Sequence, residues 1–145
     1  MFDAVAQQPV ANAGSVTTNE DTSVGVTLTG SDADGDSLTY TIVTQPSNGT
    51  LSGSAPNLTY SPSANYNGSD SFTFKVNDGI VDSSASTVNI TIASVNDTPV
   101  ANAGNVTTNE DTTVSITLTG SDADGDSLTY TVVTQSSNGT LSGSD

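Results

Sequence analysis

The sequence predicts an all-β protein, an antiparallel β-sandwich that repeats in tandem every 90 residues. Three observations predict it. Apolar residues alternate with polar ones at a period of two, and no stretch has helical periodicity. Clusters of Gly, Pro, Asn and Asp separate these short runs, as they do between the strands of a sandwich. Finally, residues 9–53 align without a gap with residues 99–143, and only six of the paired positions differ.

Strands are predicted wherever the alternation of apolar and polar residues is regular. One side of each strand then carries aliphatic or aromatic residues for a core, and the other side faces water. Leu51, Leu58 and Tyr60 indicate one or two further strands, with a turn at the Pro-Ser-Asn-Gly-Thr stretch 46–50. The four regular runs are residues 24–28, 38–42, 72–76 and 88–92.

The repeat also predicts the domain organisation. A period of this length indicates a tandem array of whole domains rather than a solenoid of short units. Residues 1–8 are a leader or an artificial start, residues 9–98 are a complete repeat, and residues 99–145 are the first half of a second repeat. The second half, residues 54–98, is present once. It could complete either first half, or pair with another copy of the chain by swapping or along a filament.

Composition excludes several classes of function. The formal net charge is -15, with Lys75 as the only cation, so nucleic acid and anionic membrane surfaces are poor partners. No apolar run is long enough to insert into a membrane. Without His, Cys or Arg there is no Ser–His or Cys–His nucleophile, no ordinary zinc site and no bidentate phosphate clamp. Paired carboxylates could hydrolyse a glycoside, but the chain has no Trp for a sugar platform and its acids are clustered as ligands are. An enzyme is not expected.

The acidic residues are concentrated in one motif that occurs twice. SDADGDSLTY stands at residues 31–40 and again at 121–130, with three aspartates within five residues each time. Two like charges about 4 Å apart repel by roughly 4 kcal/mol at an effective dielectric near 20. Calcium would relieve this repulsion, since it takes six to eight oxygen ligands from carboxylates, amides and carbonyls. The alternative is a solvated acidic turn. An EF-hand is excluded, because the glycine of DADGD stands fourth rather than sixth.

These motifs together resemble a known family. TTNEDTSVGVTLTGSDADGDSLTY (17–40) resembles the first half of a cadherin repeat, and FTFKVNDGIVDSSASTVNITIASVNDTPV (72–100) resembles the second half. The chain is most similar to the bacterial cadherin-like tandem repeats of large secreted adhesins and surface proteins, over residues 9–145. The resemblance implies an Ig/cadherin-like Greek-key β-sandwich, located outside the cell or on the bacterial cell surface.

The resemblance also implies that Ca²⁺ binds at the junction between successive repeats, and it supplies a ligand set. Because the linker VNDTP carries few acids and the Asp-Arg-Glu motif of animal cadherins is absent, we expect one or two ions per junction. The implied ligands of the junction in this chain are Glu20, Asn96, Asp97, Asp122 and Asp124. Asp32, Asp34 and Asp78 would face an upstream junction, and Glu110 repeats Glu20 in the second repeat.

The expected function is a calcium-stiffened spacer or stalk in an adhesin or surface fibre, with neighbouring repeats of the same protein as its partners. The alternatives are a module that recognises polysaccharide or a like domain, and a filament subunit that assembles by half-domain complementation. A recognition module needs an exposed aromatic side chain, and Tyr66 is the candidate for it. Asp36, Asp70, Asp82 and Asp126 are interpreted as turn or surface residues, and Lys75 as solvated.

Overall fold

The computed structural model describes residues 5–144 and divides the chain into two compact units, Met1–Val95 (unit 1) and Asn96–Asp145 (unit 2). Every regular element in the described residues is a strand, which confirms the all-β prediction. The nine strands of unit 1 are β1 (Val10–Ala11), β2 (Gly14–Asn19), β3 (Val24–Thr27), β4 (Gly30–Ser31), β5 (Thr39–Thr44), β6 (Gly49–Ser54), β7 (Asn57–Pro62), β8 (Gly68–Asn77) and β9 (Ser86–Ala93).

The strands of unit 1 form an Ig-like sandwich. One sheet has the order β2-β9-β8-β5, the other has the order β3-β7-β6, and β1 pairs with β4. All ladders are antiparallel except one: β2 runs parallel to β9, from Gly14 beside Val88 to Asn19 beside Ala93. The chain crosses to the other sheet after β2, so its first long strand and its last can run in the same direction. The prediction of a wholly antiparallel sandwich misses this pair.

The core lies between the two sheets. The side chains of Tyr60, Phe72, Phe74 and Val76 are completely buried, and Tyr40 stacks on Phe74 with ring centroids 6.4 Å apart. These are the inward positions that the alternation predicts. The rest of the buried apolar set comes from both sheets and from β1: Ala11, Val26, Leu28, Leu58, Val88, Ile90 and Ile92.

Asp70, on β8, holds the loop between β5 and β6 against the sandwich. Its half-buried carboxylate accepts the backbone N–H of Ser47 (3.0 Å) and Asn48 (2.9 Å), the N–H of Ser71 (2.8 Å) and the hydroxyl of Tyr60 (2.7 Å). Burial raises the pKa of Asp70, but these hydrogen bonds outweigh it, so the pKa lies below its ordinary value. Burial and the bond to Asp70 raise the pKa of Tyr60. Asp70 is therefore a structural residue and not only a surface one.

Unit 2 contains two short strands, β10 (Val100–Ala101) and β11 (Gly120–Ser121), which pair with each other. They are the counterparts of β1 and β4, 90 residues along the chain. The stretches that correspond to β2, β3, β5 and β6 form no ladder among the described residues of unit 2. Their aliphatic side chains are exposed, and Tyr130 is partly buried.

A matched pair of leucines tests this difference between the units. Leu28 is 3% exposed and its counterpart Leu118 is 49% exposed. We expect Leu28→Ala to lower the free energy of unfolding by about 3 kcal/mol, because it removes buried methyl groups and leaves a cavity. Leu118→Ala should change it by less than about 0.5 kcal/mol. Urea unfolding of both variants measures the difference, and equal losses would contradict the described burial.

Asp70 predicts a pH dependence. Its pKa is lower in the folded than in the unfolded chain, where it is about 3.9, so its contribution is complete above that value and is lost as pH falls through the folded pKa. Asp70→Asn should therefore cost about 2 kcal/mol at pH 7. The gap between wild type and variant should close as the pH falls below about 4. Urea unfolding between pH 2 and 7 measures it, and a gap that stays constant would refute the assigned role.

Candidate metal sites

The first acidic loop, residues 32–36, begins directly after β4. Asp32 folds the loop on itself, since its Oδ1 accepts the backbone N–H of Asp34 (2.9 Å) and of Asp36 (3.2 Å). Gly35 has φ +80°, a conformation that glycine adopts without strain. Carboxylate oxygens of the three aspartates lie within 4.8 Å of one another. The carboxylate of Asp36 therefore lies in this cluster, whereas the sequence predicts Asp36 to be a turn residue.

A segment before β1 ties this loop to the end of β8. The backbone N–H of Gln7 donates to Asp34 Oδ2 (2.7 Å), and the side-chain amide of Gln8 donates to the carbonyl of Asp82 (2.8 Å). Asp82 also forms an ion pair with Lys75 (2.6 Å), which lowers the pKa of Asp82. Lys75 is therefore paired rather than only solvated.

Asp78 follows the last residue of β8 and is only 8% exposed. Its Oδ1 accepts the backbone N–H of Val81 (2.7 Å) and Ile80 (2.7 Å), and these bonds lower the pKa of Asp78 below its ordinary value. Its Oδ2 is buried without a hydrogen-bond partner. Two residues before Asp78, the side chain of Val76 packs against Gly30, so Asp78 and the first acidic loop lie at the same end of unit 1.

Glu20 lies at the opposite end. It follows β2, donates its N–H to the carbonyl of Ala93 (2.8 Å), and is 4% exposed. Its Oε1 accepts a short hydrogen bond from the backbone N–H of Val95, and its Oε2 is buried without a partner. Asp78 follows the end of β8 that pairs with the start of β9, and Glu20 follows the end of β2 that pairs with the end of β9.

The second acidic loop, residues 122–126, lies in unit 2 and repeats the geometry of the first. Asp122 Oδ1 accepts the N–H of Asp124 (3.0 Å) and of Asp126 (3.1 Å), and oxygens of the three lie within 4.8 Å of one another. The backbone N–H of Asp97 donates to Asp124 Oδ2 (2.6 Å), as that of Gln7 does to Asp34. Asn96 and Glu110 are exposed.

A donor set of this kind fits a hard cation such as calcium. Among residues 5–144, the buried side-chain oxygens that lack a hydrogen-bond partner belong to Glu20, Asp32 and Asp78. An ionised oxygen buried in this way costs free energy unless something compensates it. All three were predicted as calcium ligands from the resemblance. The donors are carboxylates, amides and carbonyls, which hard cations such as calcium prefer.

The predicted ligands therefore separate into groups within each unit. In unit 1, Asp32 and Asp34 lie with Asp78 at one end, and Glu20 lies at the other. In unit 2, Asp122 and Asp124 lie with Asp97. The sequence interpretation missed the unpartnered oxygens, because only the packing around a carboxylate reveals them.

Tyr66 does not fit the role of an exposed recognition residue. Its ring is partly buried against the core, and its hydroxyl donates to the carbonyl of Ser69 (2.7 Å). Tyr66 therefore supports the loop before β8. Tyr66, the candidate for an exposed aromatic, is thus partly buried and hydrogen-bonded.

Two sheets packed face to face in unit 1, a sequence that repeats after 90 residues and an acidic loop in each copy define a tandem β-sandwich module. The family model described as Bacterial Ig domain matches residues 6–91 and again residues 96–145. The chain belongs to this family, which confirms the predicted kind of repeat. Bacterial Ig domains are non-catalytic modules that typically occur in surface or secreted proteins. The described residues contain no apolar helix that could span a bilayer.

Small parts of larger solved chains are similar to this chain. A substituted form of endo-fucoidan hydrolase MfFcnA4 from glycoside hydrolase family 107 aligns with 65% of this chain and 15% of its own, at 22% identity and a TM-score of 0.50. Endo-fucoidan hydrolase MfFcnA9 aligns with 63% of this chain and 17% of its own, at 26% identity and a TM-score of 0.46. These chains are much longer than the matched region, and the likeness concerns the fold alone. No curated protein matches the chain.

Proposed function

We propose that this chain is a calcium-binding structural repeat, in which calcium stiffens the connection between successive sandwiches of a bacterial surface or secreted fibre. The observation that carries the proposal is the set of buried, unpartnered carboxylate oxygens on Glu20, Asp32 and Asp78. Each needs a positive partner, and the one lysine of the chain is paired with Asp82. A divalent cation from solution supplies the missing charge.

Carboxylates of both units bind backbone N–H groups. In unit 1 Glu20 accepts a hydrogen bond from the N–H of Val95, and in unit 2 Asp124 accepts one from the N–H of Asp97. We propose that Asp122 and Asp124 hold an ion together with Asn96 and Asp97. The resemblance adds Glu20 to this ligand set, and the proposal retains it.

The two acidic loops differ in the linker that precedes them. In the first repeat the residues before Pro9 are Ala6-Gln7-Gln8, and in the second the residues before Pro99 are Asn96-Asp97-Thr98. The second loop is therefore preceded by a carboxylate, Asp97, where the first is preceded by the amide of Gln7. We propose that the site around Asp122 binds calcium more tightly than the site around Asp32 and Asp78.

Stiffening follows from the position of the ion. A flexible linker lets neighbouring repeats rotate freely, whereas a cation bound to the linker and to an acidic loop removes that freedom. The ion also cancels the repulsion among carboxylates whose oxygens lie within 4.8 Å of one another. A chain of such repeats would behave as a rod in calcium and as a string without it.

Calcium titration of the metal-stripped chain tests this function. We expect saturable binding by calorimetry, and a melting temperature at least about 5 °C higher in millimolar calcium than in chelator, since about 1 kcal/mol shifts a domain of this size by 4–8 °C. Small-angle scattering should show a narrower range of particle dimensions with calcium. Identical melting and scattering in excess chelator would refute the proposal.

The same calcium titration, repeated with conservative variants, identifies which residues bind the ion. Asp122→Asn should weaken calcium binding about tenfold or more, because it removes a ligand charge. Asp97→Gln, which copies Gln7 of the first repeat, should reduce the affinity toward that of the upstream site. Asp111→Asn is the matched control for charge, since Asp111 is exposed in unit 2 and lies outside the cluster of Asp122, Asp124 and Asp126. Equal weakening by all three would indicate a diffuse charge effect instead of a site.

Glu20→Gln should change the melting temperature in different directions in chelator and in calcium. In chelator the variant should melt at or above the wild-type temperature, because an uncompensated buried carboxylate is gone. In millimolar calcium it should melt roughly 5–10 °C below wild type, because a ligand is gone. Glu110→Gln, at the exposed equivalent position, is the control and should leave the melting of unit 1 unchanged. A loss of the same size in both conditions would make Glu20 a hydrogen-bonding residue only.

A further inference from the structure

The turn between β2 and β3, residues 20–23, brings two consecutive carboxylates together. Neighbouring residues of an extended strand point in opposite directions. Asp21 departs from the extended conformation, because its φ of 56° lies in the left-handed region that aspartate adopts more readily than most residues. In this turn, carboxylate oxygens of Glu20 and Asp21 lie within 4.8 Å of each other.

Hydrogen bonds within residues 18–22 hold this turn. The Thr18 hydroxyl donates to the carbonyl of Thr22 at 2.8 Å, and the N–H of Thr22 donates to the carbonyl of Asn19 at 3.2 Å. The Thr22 hydroxyl donates to the carbonyl of Glu20 at 3.3 Å. The same turn forms 90 residues along the chain, where Asp111 has φ 58°. The local sequence therefore determines this conformation.

Asp21 also joins two connections between the sheets. The turn 20–23 leads from β2 in the four-stranded sheet to β3 in the three-stranded sheet, and the loop 63–67 leads from β7 back to β8. Oδ1 of Asp21 accepts the backbone N–H of Asn65, in that loop, at 2.9 Å. This hydrogen bond fixes the position of the Asp21 carboxylate relative to both connections.

Glu20 is the buried member of this pair of carboxylates. It is 4% exposed, its Oε1 accepts the N–H of Val95, and its Oε2 is buried without a hydrogen-bond partner. Asp21 is exposed, so an ion from solution can reach its carboxylate. The one lysine of the chain, Lys75, is paired with Asp82 instead. The charge that Glu20 lacks must therefore come from outside the chain.

The separation of the two carboxylates suits a single calcium ion. Calcium binds oxygen at 2.3–2.6 Å, so two oxygens on the same ion are at most about 5 Å apart. Oxygens of Glu20 and Asp21 lie within 4.8 Å of each other, which is inside this limit. An ion between them would compensate the buried oxygen of Glu20 and cancel the repulsion between the two negative charges.

We propose that Asp21 is a calcium ligand that binds the same ion as Oε2 of Glu20, and that the N–H of Asn65 positions it. The inference rests on the proposed function, in which Glu20 binds calcium. The ion connects the turn 20–23 to the loop 63–67 through Asp21, and to the chain after β9 through Glu20 and Val95. Calcium thereby stiffens this end of unit 1 itself, in addition to the linker.

Amide NMR of the full chain during calcium titration tests this assignment, because the N–H groups of Val95 and Asn65 bind Glu20 and Asp21 directly. We expect both amide signals to shift with one shared dissociation constant. Asp21→Asn keeps an oxygen for the Asn65 N–H but loses the charge, so it should weaken the calcium affinity measured at Val95 about tenfold or more. Asp111→Asn, at the equivalent position of the second repeat, is the matched control and should leave that affinity unchanged.

Hydrogen exchange in chelator tests the role of Asn65 without calcium. Asp21→Gly keeps the left-handed turn, which glycine adopts without strain, and removes the carboxylate. The Asn65 amide should then exchange about tenfold faster than in the wild type, whereas Asp21→Asn should leave its exchange rate nearly unchanged. Equal rates in the wild type and both variants would refute the positioning of Asp21 by Asn65.

Three results of the titration would overturn the proposal. If Glu20→Gln weakens the affinity measured at Val95 and Asp21→Asn does not, Glu20 binds calcium without Asp21, and the proposed function stands. If Asp21→Asn and Asp111→Asn weaken it equally, the effect is one of diffuse charge. If the amides of Val95 and Asn65 do not respond to calcium, no ion binds at this end of unit 1. The proposed function fails as well if no signal of the chain responds.

Discussion

The constraint on which this structure depends is the compensation of negative charge. Sixteen acidic residues share one lysine, and the sandwich buries three carboxylate oxygens for which it provides no hydrogen bond. A protein could avoid this cost by substituting an amide or an apolar residue. Here the oxygens lie at the two ends of unit 1, and the core between the sheets is built from aliphatic and aromatic side chains. Burial of apolar side chains therefore drives folding of the sandwich. The carboxylates at its ends serve a different purpose, since we propose that calcium bound there joins one sandwich to the next.

The division of each repeat into two halves adds a second constraint. The long ladders of unit 1 join strands of different halves, or two strands of the second half, so a first half forms its turns but not its sheets. The acidic loop belongs to the first half and follows the short β1–β4 ladder, which needs no second half. The loop geometry of unit 2 is accordingly complete, with Asp122 bonded as Asp32 is, although its sheets are absent. The proposed metal site around Asp122 therefore does not require the sandwich around it.

Much of the fold could be predicted from the sequence, because period-two alternation marks strands with one buried face. Phe72, Phe74 and Val76 are an example, and all three are completely buried. The strand β2 could not be predicted in this way: its residues GSVTTN are mostly polar, and only its parallel ladder with β9 makes it a strand. The role of Asp70 was also missed, since three of its four donors, on Ser47, Asn48 and Tyr60, are distant in sequence. For the candidate site, the resemblance supplied the ligand residues, but the unpartnered oxygens depend on side-chain packing.

Carbon-detected NMR of the side-chain carboxylates, during calcium titration of the full chain, tests the central claim most directly. Asp70 serves as an internal reference, because both its oxygens already accept hydrogen bonds. If calcium compensates the buried oxygens, the signals of Glu20, Asp32 and Asp78 shift and saturate while that of Asp70 stays in place. If Glu20 and Asp78 do not respond, or if all carboxylates including Asp70 shift together without saturation, calcium is only a diffuse counterion and the account is wrong.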